Sequence, residues 1–403
     1  MRPLVIFLAA ALSALAQSPQ KTLHLAIGDP ARRTRDARVV LDAITDTATN
    51  DLLSPNQLEA RLRDTRLLLV GESHTTADFH RVELRVIRTL HDAGRNVAIG
   101  LEMYPYTEQP SLDRWRDGLL TESGFVTLSR WYEFWGYQWN YYRDIFLYAR
   151  DNRIPMFGVN TPRNVVTAVR QKGIDQLSDA DKQHVPPHID IDSGDHLEFF
   201  KASFDGDEGM HSQMSDSMLK SMQAAQATWD ASMAYNSVKV LKAAPRDTIL
   251  VVLVGSGHVA YGVGIEHQAR QWFDGKITTL IPVPVQDSDE KPVTAVKASY
   301  ANFVWGIPAE REELYPSLGI STTDASGGRK IINVEKDSVG ARAGLKVDDL
   351  IIALDGVATP DRESWNREIA GKNWGDTAVV TVKRGGVEMK INVELRRTVK
   401  DKR

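Results

Sequence analysis

Four apolar runs of this chain each end in residues able to do chemistry. Leu67–Val70 leads into Gly71-Glu72-Ser73-His74, and Val97–Leu101 leads into Glu102. Ile154–Val159 leads into Asn160-Thr161-Pro162-Arg163, and Ile249–Val254 into Gly255-Ser256-Gly257-His258. Carboxylate oxygens and imidazole nitrogens can hold a divalent metal ion and leave one position for an activated water. Glu72, His74, Glu102 and His258 supply such a set. Without a metal, His74 or His258 can serve as general base, oriented by Glu72 or Glu102, while Arg163 stabilises an oxyanion. The same groups also read as a structural network, because buried charges must be paired. There is no HExxH helix and no GxSxG elbow, so the common protease and esterase machinery is absent.

The elements that must position these residues are legible in the periodicity. The apolar runs alternate with amphipathic stretches such as "FHRVELRVIRTLHDAG", where Phe79, Val82, Val86 and Leu90 recur at helical spacing. Continuous apolar strands joined by helices predict an α/β domain with a mostly parallel sheet covered by helices. Ligands of such sheets bind beyond the carboxyl ends of the strands, so the four polar ends are expected in one crevice. Gly71, Gly255 and Gly257 let the chain turn sharply where the strands exit. The stretch from Glu208 to Ala244 reads as one or two long helices, rich in Met, Ala and Gln.

Beyond a seam at 286–314 the grammar changes to short strands and glycine turns. In "DTAVVTVKRGGVEMKINVEL" alternating residues flank a Gly385-Gly386 turn, the signature of a hairpin. With "SLGI" (Ser317–Ile320) and "SVGARAGLKVDDLIIALDG", this unit over 315–397 resembles a PDZ domain of the bacterial type. The resemblance implies a small β-rich fold that binds peptides by strand addition. Backbone N–H groups of Leu318, Gly319 and Ile320 are expected to receive a terminal carboxylate. A helix from Asp361 to Ala370 would line the other wall through Trp365 or Ile369.

The first domain also carries a resemblance. "LLLVGESH", "GLEMYPYTEQPSLDRW", "SRWYEFWGYQWNYY", "IPMFGVNTPRNVV", "ATWDASMA" and "LVGSGHVAYGVGI" follow one another as in ChaN-like proteins, the haem-binding uptake family of the Tiki superfamily. That resemblance implies haem as cofactor, bacterial iron acquisition, a tyrosine as iron ligand and a homodimer forming the pocket. Tyr104 and Tyr261, close behind two of the strand ends, are the candidate ligands. His74 and His258 are further candidates for the haem site, and Arg130 and Arg163 for pairing with propionates. The more distant Tiki-type metallopeptidases and erythromycin-esterase-like hydrolases imply the alternative, a hydrolase using Glu72, His74, Glu102 and His258 with a divalent metal. A third reading is a non-catalytic interaction scaffold working through the PDZ-like module.

Bulk properties bound these readings. A chain of 403 residues is long for one core and suggests two domains. Its 42% apolar and 25% charged residues are those of a globular protein, and a net charge of −4 gives no electrostatic case for nucleic acid. With no cysteine, disulfides, zinc–thiolate sites and lipid attachment to a cysteine are excluded. "MRPLVIFLAAALSALAQ" has the charged start, apolar stretch and small-residue end of a signal peptide, 1–16, followed by a lead-in segment, 17–59, before the domain at 60–285. The expectation is an exported protein, periplasmic or secreted and not a lipoprotein.

Overall fold

The computed structural model describes residues 20–203, 216–287, 289–309 and 313–397. The expected signal peptide and the start of the Glu208–Ala244 stretch lie outside the described residues. The chain divides into two units, one containing Arg143–Arg311 with the residues up to Thr121, the other Glu122–Tyr142 with the chain from Glu312 onward.

The first unit is built on an eight-stranded sheet in the order β3-β2-β10-β8-β4-β7-β5-β6. Its strands are β2 (Ile44–Asp46), β3 (Asp51–Leu53), β4 (Thr65–Glu72), β5 (Val97–Pro105), β6 (Met156–Asn160), β7 (Ile249–Gly255), β8 (Lys276–Pro284) and β10 (Phe303–Ile307). β1 (Asp36–Arg38) and β9 (Ala295–Lys297) form a separate antiparallel pair. From β10 to β6 every neighbouring pair is parallel, and the β2–β3 hairpin adds an antiparallel edge. Leu67, Leu68, Leu69 and Val70 are all fully buried, so both faces of β4 are covered, as its unbroken apolar run requires. On one face, Leu67, Leu69, Leu250 and Val252 pack against Met233, Ala234 and Val238 of a long helix.

The helices that matter for the site are α1 (Ala77–Asp92), α2 (Arg163–Lys172), α3 (Gly194–Ala202) and α4 (Asp216–Ala243). α1 follows β4 directly and buries Phe79, Val82, Val86 and Leu90, the predicted stripe. The seam expected at 286–314 is a correction. It contributes β10, an inner strand pairing Val304 with Ile281 on one side and with Thr45 on the other. Proline and mixed charge mark both ends of it, around Pro292 and Pro308, and "FVWGI" between them is too short a run to stand out by period.

The second unit holds a five-stranded antiparallel path, β11 (Ile320–Ala325), β12 (Gly328–Val334), β13 (Leu350–Leu354), β15 (Thr377–Arg384) and β16 (Val387–Glu394), with β14 (Val357–Ala358) beside β13. The predicted hairpin is β15–β16, turning at Gly385 and Gly386, both at positive φ. Helix α5 (Arg362–Ala370) begins with Asp361 and Ser364 in a reciprocal capping box. The core gathers Leu318, Ile331, Ile351, Leu354, Val380 and Trp365. Trp365 is therefore a core residue rather than the groove wall the sequence suggests, and Ile369 packs partly buried against that core.

Candidate functional site

β4, β7 and β5 lie side by side, with Glu72 in register with Gly255. This register delivers the polar strand ends to one place. The His74 Nδ1 lies 2.6 Å from Glu72 Oε1, and the Gly255 N–H donates to Glu102 Oε2 at 2.7 Å. His258 Nε2 stands 3.4 Å from the other oxygen of Glu102. The Asn160 side chain donates to the Glu102 carbonyl at 2.9 Å, drawing in the fourth strand. A Cβ on Gly255 would stand 3.1 Å from His74 Cε1, so the glycine makes room for the imidazole.

Glu72, His74, Glu102 and His258 thus come together as expected. Arg163 is exposed at the first turn of α2, and Arg130 is ion-paired with Glu133 in the other unit. Neither arginine belongs to the crevice cluster described above.

Four buried acids or bases that the sequence reading did not single out complete the network. His80 Nδ1 on α1 bridges Glu72 Oε2 at 3.1 Å and Glu83 Oε2 at 2.9 Å, and its Nε2 faces the His74 carbonyl at 3.3 Å. On α4, Asp230 Oδ1 lies 2.6 Å from His258 Nδ1, and its other oxygen 3.5 Å from His196 Nε2. A signal existed for three of them. His80 and Glu83 share the buried side of an amphipathic helix, and Asp230 sits among small apolar residues in "ATWDASMA".

The electrostatics follow from burial and pairing. Burial opposes ionisation of Glu72, but the charge of His80 and hydrogen bonds from both histidines outweigh it and hold the carboxyl well below the usual range. Burial also works against a charged His80, yet Glu72 and Glu83 raise its pKa to about 10. Glu83 is pushed the other way, well above the usual range, by burial and by the negative Glu72 beside it. Glu102 is held low against its burial by His258. His258, despite burial, is raised to about 10 by Asp230 and Glu102. His74 is the most exposed of the four, its side chain 13% exposed against 11% for Glu102, 7% for His258 and none for Glu72.

The two tyrosines expected as iron ligands are placed differently. Tyr104 is fully buried on β5. Tyr261, at a positive φ of 62°, donates its hydroxyl proton to the Thr22 carbonyl at 2.6 Å and accepts the Leu25 N–H at 3.0 Å. Burial pushes its phenol far above the usual range, which opposes the tyrosinate form. Both are corrected to packing roles in this conformation. Tyr106, the residue immediately after β5, is half-buried, with its hydroxyl 2.8 Å from His184 Nδ1 and the Lys239 ammonium 5.0 Å from its ring centroid. The Thr161 hydroxyl donates to the His184 carbonyl at 2.7 Å, so this group stands at the same strand ends, beside β6.

Residues 58–268 match the family model described as haem-binding uptake, Tiki superfamily, ChaN. The chain belongs to this ChaN family. Residues 316–395 match the PDZ domain model, so the ChaN unit is followed by a PDZ domain. A solved structure of ChaN of Campylobacter jejuni, with cofacially bound haem, is similar at 18% identity and a TM-score of 0.50, over 65% of this chain and 95% of that one. It supports the α/β fold of the ChaN unit. Among curated proteins, the chloroplastic RETICULATA-RELATED 5 of Arabidopsis thaliana is 28% identical over 214 residues, 50% of this chain and 28% of that protein. A probable periplasmic serine endoprotease, DegP-like, of Rhizobium meliloti (strain 1021) is 29% identical over 136 residues, 33% of this chain and 26% of that protein. The chain thus spans little more than a quarter of either relative's length.

Proposed function

We propose that this protein is an exported haem-binding protein of iron or haem acquisition, whose PDZ domain recruits a partner through an extended peptide. Membership of the ChaN family carries the reading, and the cofacial haem of the Campylobacter jejuni structure supports it. The strand-end cluster itself is closed to a porphyrin, since its side chains stand 2.6–3.4 Å apart. Haem therefore binds at the mouth of the crevice, where Tyr106 has a half-buried ring. A tyrosinate suits ferric iron. His184 Nδ1 is in position to take the phenol proton, and Lys239 lies over the ring as a compensating cation. Arg163, exposed at the start of α2, is the candidate partner for a propionate. The homodimer and periplasmic location belong to the same proposal, with the leader 1–16 as its sequence support.

The test is a haemin titration of the full chain with Tyr106→Phe, Tyr104→Phe and Tyr261→Phe in parallel. The expected result is a high-spin tyrosinate spectrum lost only in Tyr106→Phe. Retention of that spectrum in Tyr106→Phe would overturn the ligand assignment, and the absence of saturable binding would overturn the function.

One observation favours a second reading, a metal-dependent hydrolase. Ligand atoms of Glu72, His74 and Glu102 lie within 4.8 Å of one another, with His258 alongside. Nitrogen and oxygen donors of this kind fit a divalent ion, which would supply an activated water. Calorimetric titration with Mn²⁺ and Zn²⁺, repeated on Glu102→Gln, distinguishes the readings; heat that Glu102→Gln abolishes supports the metal site.

A further inference from the structure

The aromatic segment within Glu122–Tyr142 is joined at both ends to the ChaN unit, yet it packs with the PDZ domain. Its own small core explains how it holds a shape. Trp131 meets Trp139 and Tyr142 edge-on, with ring centroids 5.0 and 5.4 Å apart, and Trp139 Nε1 donates to Glu122 at 2.8 Å. What it touches on the PDZ domain is specific. The Asn366 side chain donates to the Tyr132 carbonyl at 2.9 Å, and Arg362 donates to the Trp135 carbonyl at 3.2 Å. Arg362, Asn366 and Ile369 follow one another at i, i+4 and i+7, a single stripe of α5 next to the core-facing Trp365. Gly136, at φ of 90°, lies so close that a Cβ there would stand 2.7 Å from Asn366 Nδ2.

The same segment reaches the other end of the domain. Tyr141 meets Tyr315 edge-on at 5.1 Å, and Tyr315 opens the loop through Leu318, Gly319 and Ile320 into β11. Tyr132, between these points, is in the electrostatic range of both Arg367 and Tyr315. A peptide added to a PDZ domain runs between the edge strand and the helix, with its end at that loop. Within the sheet β11 is the terminal strand, with β12 as its neighbour, so its outer edge faces this groove. In the loop the Gly319 N–H donates to Ser317 Oγ at 3.1 Å, so an incoming carboxylate must displace that hydroxyl as well.

We propose that Trp131–Tyr137 is an internal occupant of the PDZ groove's helix wall, and that a partner peptide binds only when this segment undocks. The segment covers the α5 positions whose side chains would otherwise meet the peptide's alternate residues. The apparent affinity for a peptide is then reduced by the fraction of molecules in which the wall is open. Peptide arrival and release of a segment anchored in the ChaN unit become one event.

The absence of cysteine makes the test clean. In the full chain, Gly136→Cys with Asn366→Cys puts thiols at two positions whose side chains meet, since a Cβ at 136 would stand 3.3 Å from Asn366 Cγ, and oxidation is expected to lock the segment down. In a second variant, Gly136→Val, a branched side chain at positive φ collides with Asn366 and undocks the segment without altering the groove. Peptides with free carboxyl ends, selected from a random library on Gly136→Val and labelled with fluorescein, are the probes. Affinity is expected to rise about tenfold from wild type to Gly136→Val, corresponding to a wall open in about a tenth of wild-type molecules. The oxidised pair should show no binding, and reduction should restore it. Equal affinity in all three proteins overturns the proposal, as does failure of the cysteine pair to cross-link or of the library to yield a binder.

Discussion

Glu83 and Glu72 are both fully buried carboxyls beside His80, yet their removal should have opposite consequences. Glu72 carries the charge that balances the His80 imidazolium, whereas burial and Glu72 itself drive Glu83 toward its neutral form. Glutamine is isosteric with a neutral glutamic acid and keeps a carbonyl oxygen for His80 Nδ1, so at pH 5 Glu83→Gln should change stability by less than about 1 kcal/mol. Glu72→Gln leaves an imidazolium buried without its counter-charge, a loss of about 3–5 kcal/mol. At about 2–4 °C per kcal/mol for a domain of this size, that is a fall of about 6–20 °C in melting temperature. The pH dependence adds a sign. A carboxyl whose pKa is raised by folding weakens the fold as pH climbs above its unfolded value, so Glu83→Gln should gain on wild type between pH 5 and pH 8. Thermal melts of the three proteins by circular dichroism across that range decide it. If Glu83→Gln falls as far as Glu72→Gln at pH 7, Glu83 is ionised and the charge assignment is wrong.

Further expectations follow from the same geometry. His80 and His258, raised to about 10, contribute stability that is complete below about pH 6.5 and is lost as pH rises toward 10, so melting temperature should decline over that interval; a flat profile would contradict their pairing. Gly306 lies in β10, where a Cβ would stand 2.1 Å from the Val40 carbonyl oxygen, and Gly306→Ala should destabilise the ChaN unit by about 1–3 kcal/mol in urea unfolding. A neutral Gly306→Ala would restore the seam as a linker. Tyr261→Phe removes a hydroxyl shared by Thr22 and Leu25 and should lose about 1–3 kcal/mol, with the haem spectrum unchanged.

The sheet was readable because buried parallel strands are written as continuous apolar runs. Leu67–Val70 and Ile249–Val254 could be nothing else, and their polar ends marked the crevice. The partners arriving from helices were harder. Asp230 lies within the long helix α4 and reaches His258 across 28 residues of sequence, which no local period announces. The tyrosine question failed for a related reason. Tyr104 and Tyr106 are two residues apart, but the first is still in β5 and buried while the second lies past Pro105 and is half-buried. Proximity to a strand end could not tell them apart. The aromatic stretch around Trp131 entered the sequence reading only as part of the family resemblance, and its packing against α5 depends on two backbone carbonyls, which any residue provides. The PDZ domain itself was legible from its glycine turns and its hairpin, since those positions need conformations that few residues adopt.

The central claim is that this chain binds haem. Its most direct test is a haemin titration of the wild-type protein followed through the Soret band, with sedimentation run on the same samples. The account predicts saturation at a fixed stoichiometry with a haem-bearing species larger than one chain. A linear, non-saturating rise in absorbance, with haem remaining separate from the sedimenting protein, would contradict it.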